Sequence, residues 1–318
     1  MLMFSAALIA GLILLVLSSD KFIEHAALVA EKLNVSPIVI GITLVALGTS
    51  APEMVVSAIA ALDNAPGIAV GNVIGSNIAN IGLVFGATLV LAAVPINGSL
   101  IKKEIPLVIF VTLLAGFLMI DQHLSLTDGV ALIIAFLIVL YLLLKNSKNL
   151  EDELTEDLPE DDGGSVARSL LIAGVGLAVL IGSSKLLVWG AIGIASALGV
   201  SDLIIGLTIV AIGTSLPELA ASIASVKKGH HDIAIGNVLG SNIFNLATVL
   251  PLPAILAPGL IEETVINRDY WWMLGFTLLF SIAVIIYSKH RSLSIPRWFA
   301  VPLLGGYGAY MYLLAISG

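Results

Sequence analysis

Cysteine is absent from the 318-residue chain, which excludes disulfides and thiolate metal sites. Charge is scarce too: Asp, Glu, Lys and Arg make up 11% of the residues against 58% hydrophobic ones, and the mean hydropathy is +1.08. Soluble domains carry about 25% charged residues, so the composition is that of a polytopic protein in a lipid bilayer. The formal net charge of −8 does not point to nucleic acid, because much of it comes from one stretch, Glu151 to Asp162. No zincin, nucleophile-elbow or phosphate-binding motif occurs, and the five histidines fall at predicted loops or span ends. An enzyme is therefore not expected, nor a cofactor. Met1 to Leu17 lacks a basic n-region and a clear cleavage site, and reads as a retained first span.

What is present is a series of long apolar runs. Ten spans fit, at roughly 2–19, 36–62, 69–94, 104–120, 126–144, 167–188, 201–226, 232–257, 270–287 and 297–316. The second, third, seventh and eighth carry the Gly, Asn, Ser and Thr content. The fourth, fifth, ninth and tenth read as plainer lipid-facing helices. Trp271, Trp272 and Trp298 lie at predicted span ends, as interfacial anchors do. Connections after odd-numbered spans hold 12 of the 14 basic residues; those after even-numbered spans hold Lys185 and Arg268. Positive charge stays on the cytoplasmic side, so both termini are expected outside the cytoplasm. The chain divides into residues 1–145, an acidic linker 146–166 and residues 167–318. The linker lacks the ligand spacing and turn glycine of an EF-hand loop. It reads as a flexible cytoplasmic connection.

Inside the second span stands Gly48-Thr49-Ser50-Ala51-Pro52-Glu53. A carboxylate at mid-bilayer is unfavourable by roughly 2.5–3.5 kcal/mol on insertion scales and marks a functional path. Pro52 removes a backbone donor and opposes a regular helix through the preceding turn. The segment is expected to be a helix broken mid-membrane. The pattern returns as Gly213-Thr214-Ser215-Leu216-Pro217-Glu218. Residues 35–80 superpose on 200–245 at an offset of 165 without a gap, with 23 of 46 positions identical. Each copy holds five spans, an odd number, so the second enters the membrane from the opposite side. The expected fold is all-α and integral to the membrane, with ten transmembrane helices as two inverted five-helix repeats. Such symmetry interchanges outward-open and inward-open shapes and suits alternating access.

A second motif, Gly71-Asn72-Val73-Ile74-Gly75-Ser76-Asn77-Ile78-Ala79-Asn80, is matched by Gly236-Asn237-Val238-Leu239-Gly240-Ser241-Asn242-Ile243-Phe244-Asn245. Ser76 with Asn80, and Ser241 with Asn245, share a helix face. Asn72, Asn77, Asn237 and Asn242 have a less favourable phase and read as interhelical hydrogen bonders. Thr49, Ser50, Thr214 and Ser215 either ligate a cation or satisfy backbone groups freed at the breaks. Glu53 and Glu218 have no basic partner in any central span. With the carbonyls of Ala46 and Ala211 these are hard oxygen donors, suited to Ca²⁺, Na⁺ or protons. Two carboxylates balance one Ca²⁺. Its departure leaves an uncompensated double negative charge, so Na⁺ ions or protons must replace it before the site reorients.

The paired motifs resemble the α-repeats of the calcium/cation antiporter superfamily, nearest to its prokaryotic sodium/calcium exchanger branch, over essentially the whole chain. The resemblance implies four ion sites in a diamond between the second, third, seventh and eighth helices. Glu53 and Glu218 would be shared central ligands, and Thr49 and Thr214 would bind Ca²⁺ through backbone carbonyls. Ser50, Ser215, Ser76, Ser241 and the carbonyls of Ala46 and Ala211 would complete flanking Na⁺ sites, with Asn80 and Asn245 lining the middle. The first and sixth helices, long and tilted in this family, would slide to switch access. Some relatives carry aspartate at the position of Asn245, a group linked to K⁺ cotransport, so its absence argues against K⁺ dependence. The expected function is Ca²⁺/Na⁺ exchange across the cytoplasmic membrane. A Ca²⁺/H⁺ antiporter and a Ca²⁺-permeable channel are the alternatives. The deep inverted site favours a carrier, since a channel needs weak, easily vacated sites.

Overall fold

Apolar runs this long bury their backbone polar groups only as helices, and helices they form. The computed structural model describes residues 2–33, 35, 37–62, 66–96, 100, 102–146, 165–197, 211–288 and 293–317. The first repeat contains α1 (Leu2–Lys32), the second span as α2 (Pro37–Thr49) and α3 (Ala51–Leu62), and α4. Helix α4 runs from Pro66–Ala79 through a π-helical segment, Asn80–Phe85, to Gly86–Leu91. Helices α5 (Glu104–Met119) and α6 (Leu126–Asn146) complete it. The second repeat contains α7 (Val166–Ala197), α8 (Ala211–Thr214) and α9 (Leu216–Lys227) as the described part of the seventh span, then α10 (His231–Leu256), α11 (Val265–Tyr287) and α12 (Arg297–Ile316). The protein is an all-helical membrane protein of ten spans. Residues 147–164, nearly all of the expected acidic linker, and residues 201–210, the first part of the expected seventh span, lie outside the described residues.

Two small β-bridges tie the halves together. Strand β1 (Val94–Pro95) pairs antiparallel with β4 (Ser294–Ile295), and β2 (His123–Leu124) with β3 (Gly259–Leu260). β1 follows the third span and β4 the ninth; β2 follows the fourth and β3 the eighth. Paired loops share one side of the membrane, so each bridge joins connections of equal parity. The offset of 165 carries Val94–Pro95 onto Gly259–Leu260. The bridges are therefore counterparts under the inversion, one on each face.

Some span limits differ from expectation. Helix α1 continues to Lys32 instead of ending near residue 19, so Lys21 lies in a helix, and His25 is a buried helical residue rather than a span-end one. Likewise α7 runs to Ala197 and carries Lys185 within it rather than in a connection. At 31 and 32 residues, and 1.5 Å per residue, each is about 47 Å long. The hydrocarbon core is about 30 Å thick, so helices of this length tilt or protrude. The two pack along each other, closely enough that a methyl group on Gly190 would fall 2.7 Å from the Phe4 carbonyl oxygen.

The interior divides in two. A large cluster joins Val73, Ile78, Phe85, Leu239, Ile243 and Phe280 with one face each of α5, α6, α11 and α12. Those four helices, expected to be plain lipid-facing ones, each give one side to this core; the exposed Phe117, Leu137 and Trp298 show the other side facing lipid. A smaller cluster sets Phe22, Ile23, Ala26, Ala27 and Ala30 of α1 against Ala220, Ala221 and Ala224 of α9. The outer half of α1 is lipid-exposed at Ile9, Leu12, Ile13, Val16 and Leu17.

Candidate ion-binding site

The second span breaks where Pro52 predicts it. Ser50 has φ −81° and ψ 3°, in the bridge region of backbone space, and α2 meets α3 at 45°. Ser215 adopts the same conformation, φ −90° and ψ 6°, ahead of Pro217. The breaks close differently. The Ser50 N–H donates to the Ala46 carbonyl at 2.9 Å, an α-helical bond, whereas the Ser215 N–H donates to Ile212 at 3.1 Å, a tighter turn. Each break begins a new helix whose first turn carries the carboxylate. A helix N-terminus favours negative charge, which partly offsets the burial of Glu53 and Glu218, both 0% exposed.

Each carboxylate-bearing helix is braced to the next span by an asparagine. Asn72 Nδ2 donates to the Glu53 carbonyl at 3.3 Å and to Ser57 Oγ at 3.0 Å. Asn237 Nδ2 donates to the Glu218 carbonyl at 3.2 Å and to Ser222 Oγ at 2.8 Å. The two sets correspond at the offset of 165. This agrees with reading Asn72 and Asn237 as interhelical hydrogen bonders. Ser57 and Ser222 were not among the expected site residues; their signal was identity between the repeats.

At the site, three side-chain bonds among the described residues cross between repeats. Ser50 Oγ donates to Glu218 Oε1 at 3.2 Å, Thr49 Oγ1 to Asn237 Oδ1 at 3.1 Å, and Asn80 Nδ2 to Asn242 Oδ1 at 3.1 Å. The Ser50 bond sets the break that precedes Glu53 directly against the Glu218 carboxylate. Backbones also meet: a methyl group on Gly240 would fall 2.6 Å from Ile42 Cα, and one on Gly41 2.6 Å from the Ile233 carbonyl oxygen. Close approach of α2 and α10 thus requires glycine at both positions.

Many oxygens here are buried and lack a donor. Among the described residues, none meets Glu53 Oε1 or Oε2, Glu218 Oε2, Ser215 Oγ, Ser241 Oγ, Asn80 Oδ1 or Asn245 Oδ1. Ser76 is buried on α4. Thr214 ends α8, and Ala211 opens it. The Ala46 carbonyl is already engaged, by the Ser50 N–H and by Thr49 Oγ1 at 3.4 Å. Buried polar atoms are normally paired, so clustered orphan oxygens with two carboxylates suit a hard cation as cargo. No group of three or more His, Cys, Asp or Glu placed to hold a metal ion occurs among the described residues; neutral oxygens would have to complete any shell.

The sequence does not signal one further feature. Helices α4 and α10 each widen into a π segment starting at the site asparagine, Asn80–Phe85 and Asn245–Val249. Single-turn π segments recur at functional sites, and here they shift the phase of every residue beyond Asn80 and Asn245.

The family profile described as "Sodium/calcium exchanger protein" matches residues 3–145 and 168–316. "Putative antiporter CaxA" of Alkalimonas amylolytica is 44% identical over the full length of both chains. "Inner membrane protein YrbG" of Escherichia coli (strain K12) is 38% identical, covering 99% of this chain and 97% of that one. Among solved structures, the sodium-calcium exchanger NCX_Mj soaked with 10 mM Na⁺ and zero Ca²⁺ matches with a TM-score of 0.84 at 35% identity, covering 100% of this chain and 99% of that one. The chain belongs to the sodium/calcium exchanger family, a family of membrane transporters rather than enzymes.

Proposed function

We propose that the protein exchanges Ca²⁺ for Na⁺ across the cytoplasmic membrane by alternating access, expelling Ca²⁺ down the Na⁺ gradient. The observation that carries this reading is the pair of buried carboxylates, one from each inverted repeat, among oxygens that have no donor. Ca²⁺ neutralises both charges at once. Once it leaves, monovalent cations must enter before the site reorients, because two bare carboxylates repel in low dielectric. Glu53 and Glu218 are the shared ligands. Thr49, Thr214, Ser50, Ser215, Ser76, Ser241, Asn80, Asn245 and the carbonyls of Ala46 and Ala211 complete the sites. Asn245 leaves the centre without a third carboxylate, and K⁺ is not a cosubstrate. The units are residues 1–145 and 167–318 with the cytoplasmic linker 146–166 between, and both termini face away from the cytoplasm. Kinship with an exchanger soaked with Na⁺, Ca²⁺ or Sr²⁺ supports the choice of ions.

Proteoliposomes test the counter-ion. An imposed Na⁺ gradient is expected to drive Ca²⁺ in the opposite direction. Ca²⁺ movement that persists without Na⁺ and collapses with a pH gradient would replace this reading by Ca²⁺/H⁺ exchange. Movement indifferent to both gradients would replace it by a channel.

A further inference from the structure

Arg268 is one of two basic residues on the side that the charge bias leaves nearly free of them, and Lys185, the other, lies inside α7. Arg268 sits in the first turns of α11 and is held in place: Asp269 Oδ1 accepts from its Nε at 2.8 Å, and Asp269 Oδ2 from its Nη2 at 3.2 Å. Tyr310 of α12 donates to the same Asp269 Oδ1 at 3.2 Å. Exposed Glu262 and Glu263 stand just before α11, and Glu263 Oε1 accepts from Asn267 Nδ2, at the mouth of the groove between α11 and α12, at 2.8 Å.

Below Arg268 runs a groove of about 470 Å³ between α11 and α12. Asn267, Arg268 and Trp271 line its upper end, and Gly275, Leu279 and Gly306 its floor. Residues 271, 275 and 279 are four apart and share a face of α11. Gly275 opens the floor, with nothing within 4 Å of where a methyl group would stand. From Arg268 to Leu279 the helix rises about 16 Å, close to half of a hydrocarbon core of about 30 Å. The groove therefore runs from the interface to mid-bilayer, the depth of one leaflet. Its mouth offers a fixed guanidinium with carboxylates beside it, which matches a headgroup carrying both a phosphate and an ammonium.

We propose that this groove binds one amine-bearing zwitterionic glycerophospholipid, with its phosphate on Arg268, its ammonium towards Glu262 and Glu263, and an acyl chain over Gly275 to Leu279. None of the groove's lining residues is among the proposed ion ligands, and its test does not depend on the transported ions. Delipidated full-length protein in mild detergent is given palmitoyl-oleoyl phosphatidylethanolamine or phosphatidylglycerol, and retained lipid is counted by native mass spectrometry. The wild type is expected to retain one phosphatidylethanolamine per chain under activation that strips phosphatidylglycerol. Gly275→Phe, which fills the floor, is expected to lower retention at least about tenfold, a 1.4 kcal/mol effect. Leu279→Trp repeats the test lower in the groove, and monodisperse elution with unchanged thermal unfolding certifies each variant. Glu262→Gln together with Glu263→Gln is expected to abolish discrimination between the two lipids, whereas Arg268→Gln is expected to weaken retention of both. Wild-type retention in a folded Gly275→Phe or Leu279→Trp variant overturns the proposal. So does equal retention of both lipids by the wild type, or efficient Gly275→Cys dimer cross-linking in membranes, which would assign the groove to a second copy.

Discussion

The two half-sites share one sequence pattern and differ in how their carboxylates are held. Glu218 accepts a hydroxyl from Ser50 of the other repeat, and Asn237, which braces its helix, is fully buried and accepts from Thr49 as well. Glu53 has neither oxygen satisfied among the described residues, and its brace, Asn72, is half-buried. An inverted pair related by perfect symmetry would hold both alike. Within each repeat the bonds do correspond: Asn72 to the Glu53 carbonyl and Ser57, Asn237 to the Glu218 carbonyl and Ser222. The departure lies in the side-chain bonds that cross between repeats at the site. On the proposed alternating-access reading, relations between repeats change while each keeps its internal bonds, so the crossing bonds at the site are the natural places for a conformational state to be recorded.

The largest expected effect ignores that difference. If one Ca²⁺ needs both carboxylates, Glu53→Gln and Glu218→Gln must be equally damaging despite their different surroundings. Removing one charged partner from a buried ionic group costs about 2–5 kcal/mol, so Ca²⁺ flux in proteoliposomes should fall about thirtyfold or more in either variant. Near-normal flux in one of them breaks the shared-site reading.

The braces should separate the halves. Asn237→Ala strands three partners in a fully buried setting, and Asn72→Ala two in a half-buried one. Each unsatisfied buried group costs about 1–3 kcal/mol. Apparent Ca²⁺ affinity, measured from flux against concentration, should therefore drop about tenfold or more for Asn237→Ala and by a smaller factor for Asn72→Ala. Equal losses would mean that the asymmetry of the braces has no consequence for the ion.

A finer test uses the hydroxyls. Ser50→Ala removes a hydrogen bond to a carboxylate, worth about 1.5–3 kcal/mol. Ser215 Oγ makes no such bond among the described residues. In Na⁺- and Ca²⁺-free detergent solution, Ser50→Ala should lower the unfolding temperature more than Ser215→Ala does. Saturating Na⁺ should reduce the gap, because both hydroxyls would then face an ion. A gap that persists would assign Ser50 a purely structural role.

How far the sequence foretold these halves depends on which force shapes each residue. Pro52 and Pro217 break their helices through their own covalent structure, so both breaks were legible. The inversion was legible because it rests on arithmetic: five spans, an odd number, separated by an offset of 165. Asn72 was legible as a hydrogen bonder without its partners, since the carbonyl it meets belongs to a broken helix on the preceding span. The π segments at Asn80 and Asn245 were not legible, because nothing local demands them and packing in the assembled bundle selects them. Helix α1 was cut short at Asp20, Lys21 and Glu24, since charge argues against a span. Its length lets Glu24 reach Lys228 at 3.3 Å instead, at the end of α9.

That ion pair extends the comparison to the ends of the two long helices, where symmetry fails altogether. The C-terminal half of α1 meets the core through Glu24 and Lys228, and the C-terminal half of α7 meets α1 through Trp189 stacked edge-on against Phe4, ring centroids 5.0 Å apart. On the proposed topology the first contact lies at the cytoplasmic face and the second at the outer face. Both are partly exposed, so both are weak, but salt tells them apart. An exposed ion pair contributes about 0–1 kcal/mol and fades with ionic strength, whereas an aromatic pair contributes about 0.5–1.5 kcal/mol beyond its buried area and does not. Lys228→Met should therefore change the exchange rate by no more than about fivefold at low ionic strength, and by nothing measurable when impermeant salt is raised on the cytoplasmic side. Trp189→Ala should produce a change of similar size that salt leaves intact. If salt abolishes both effects, or neither, the two ends are not built from different forces and the asymmetry of this chain is confined to its centre.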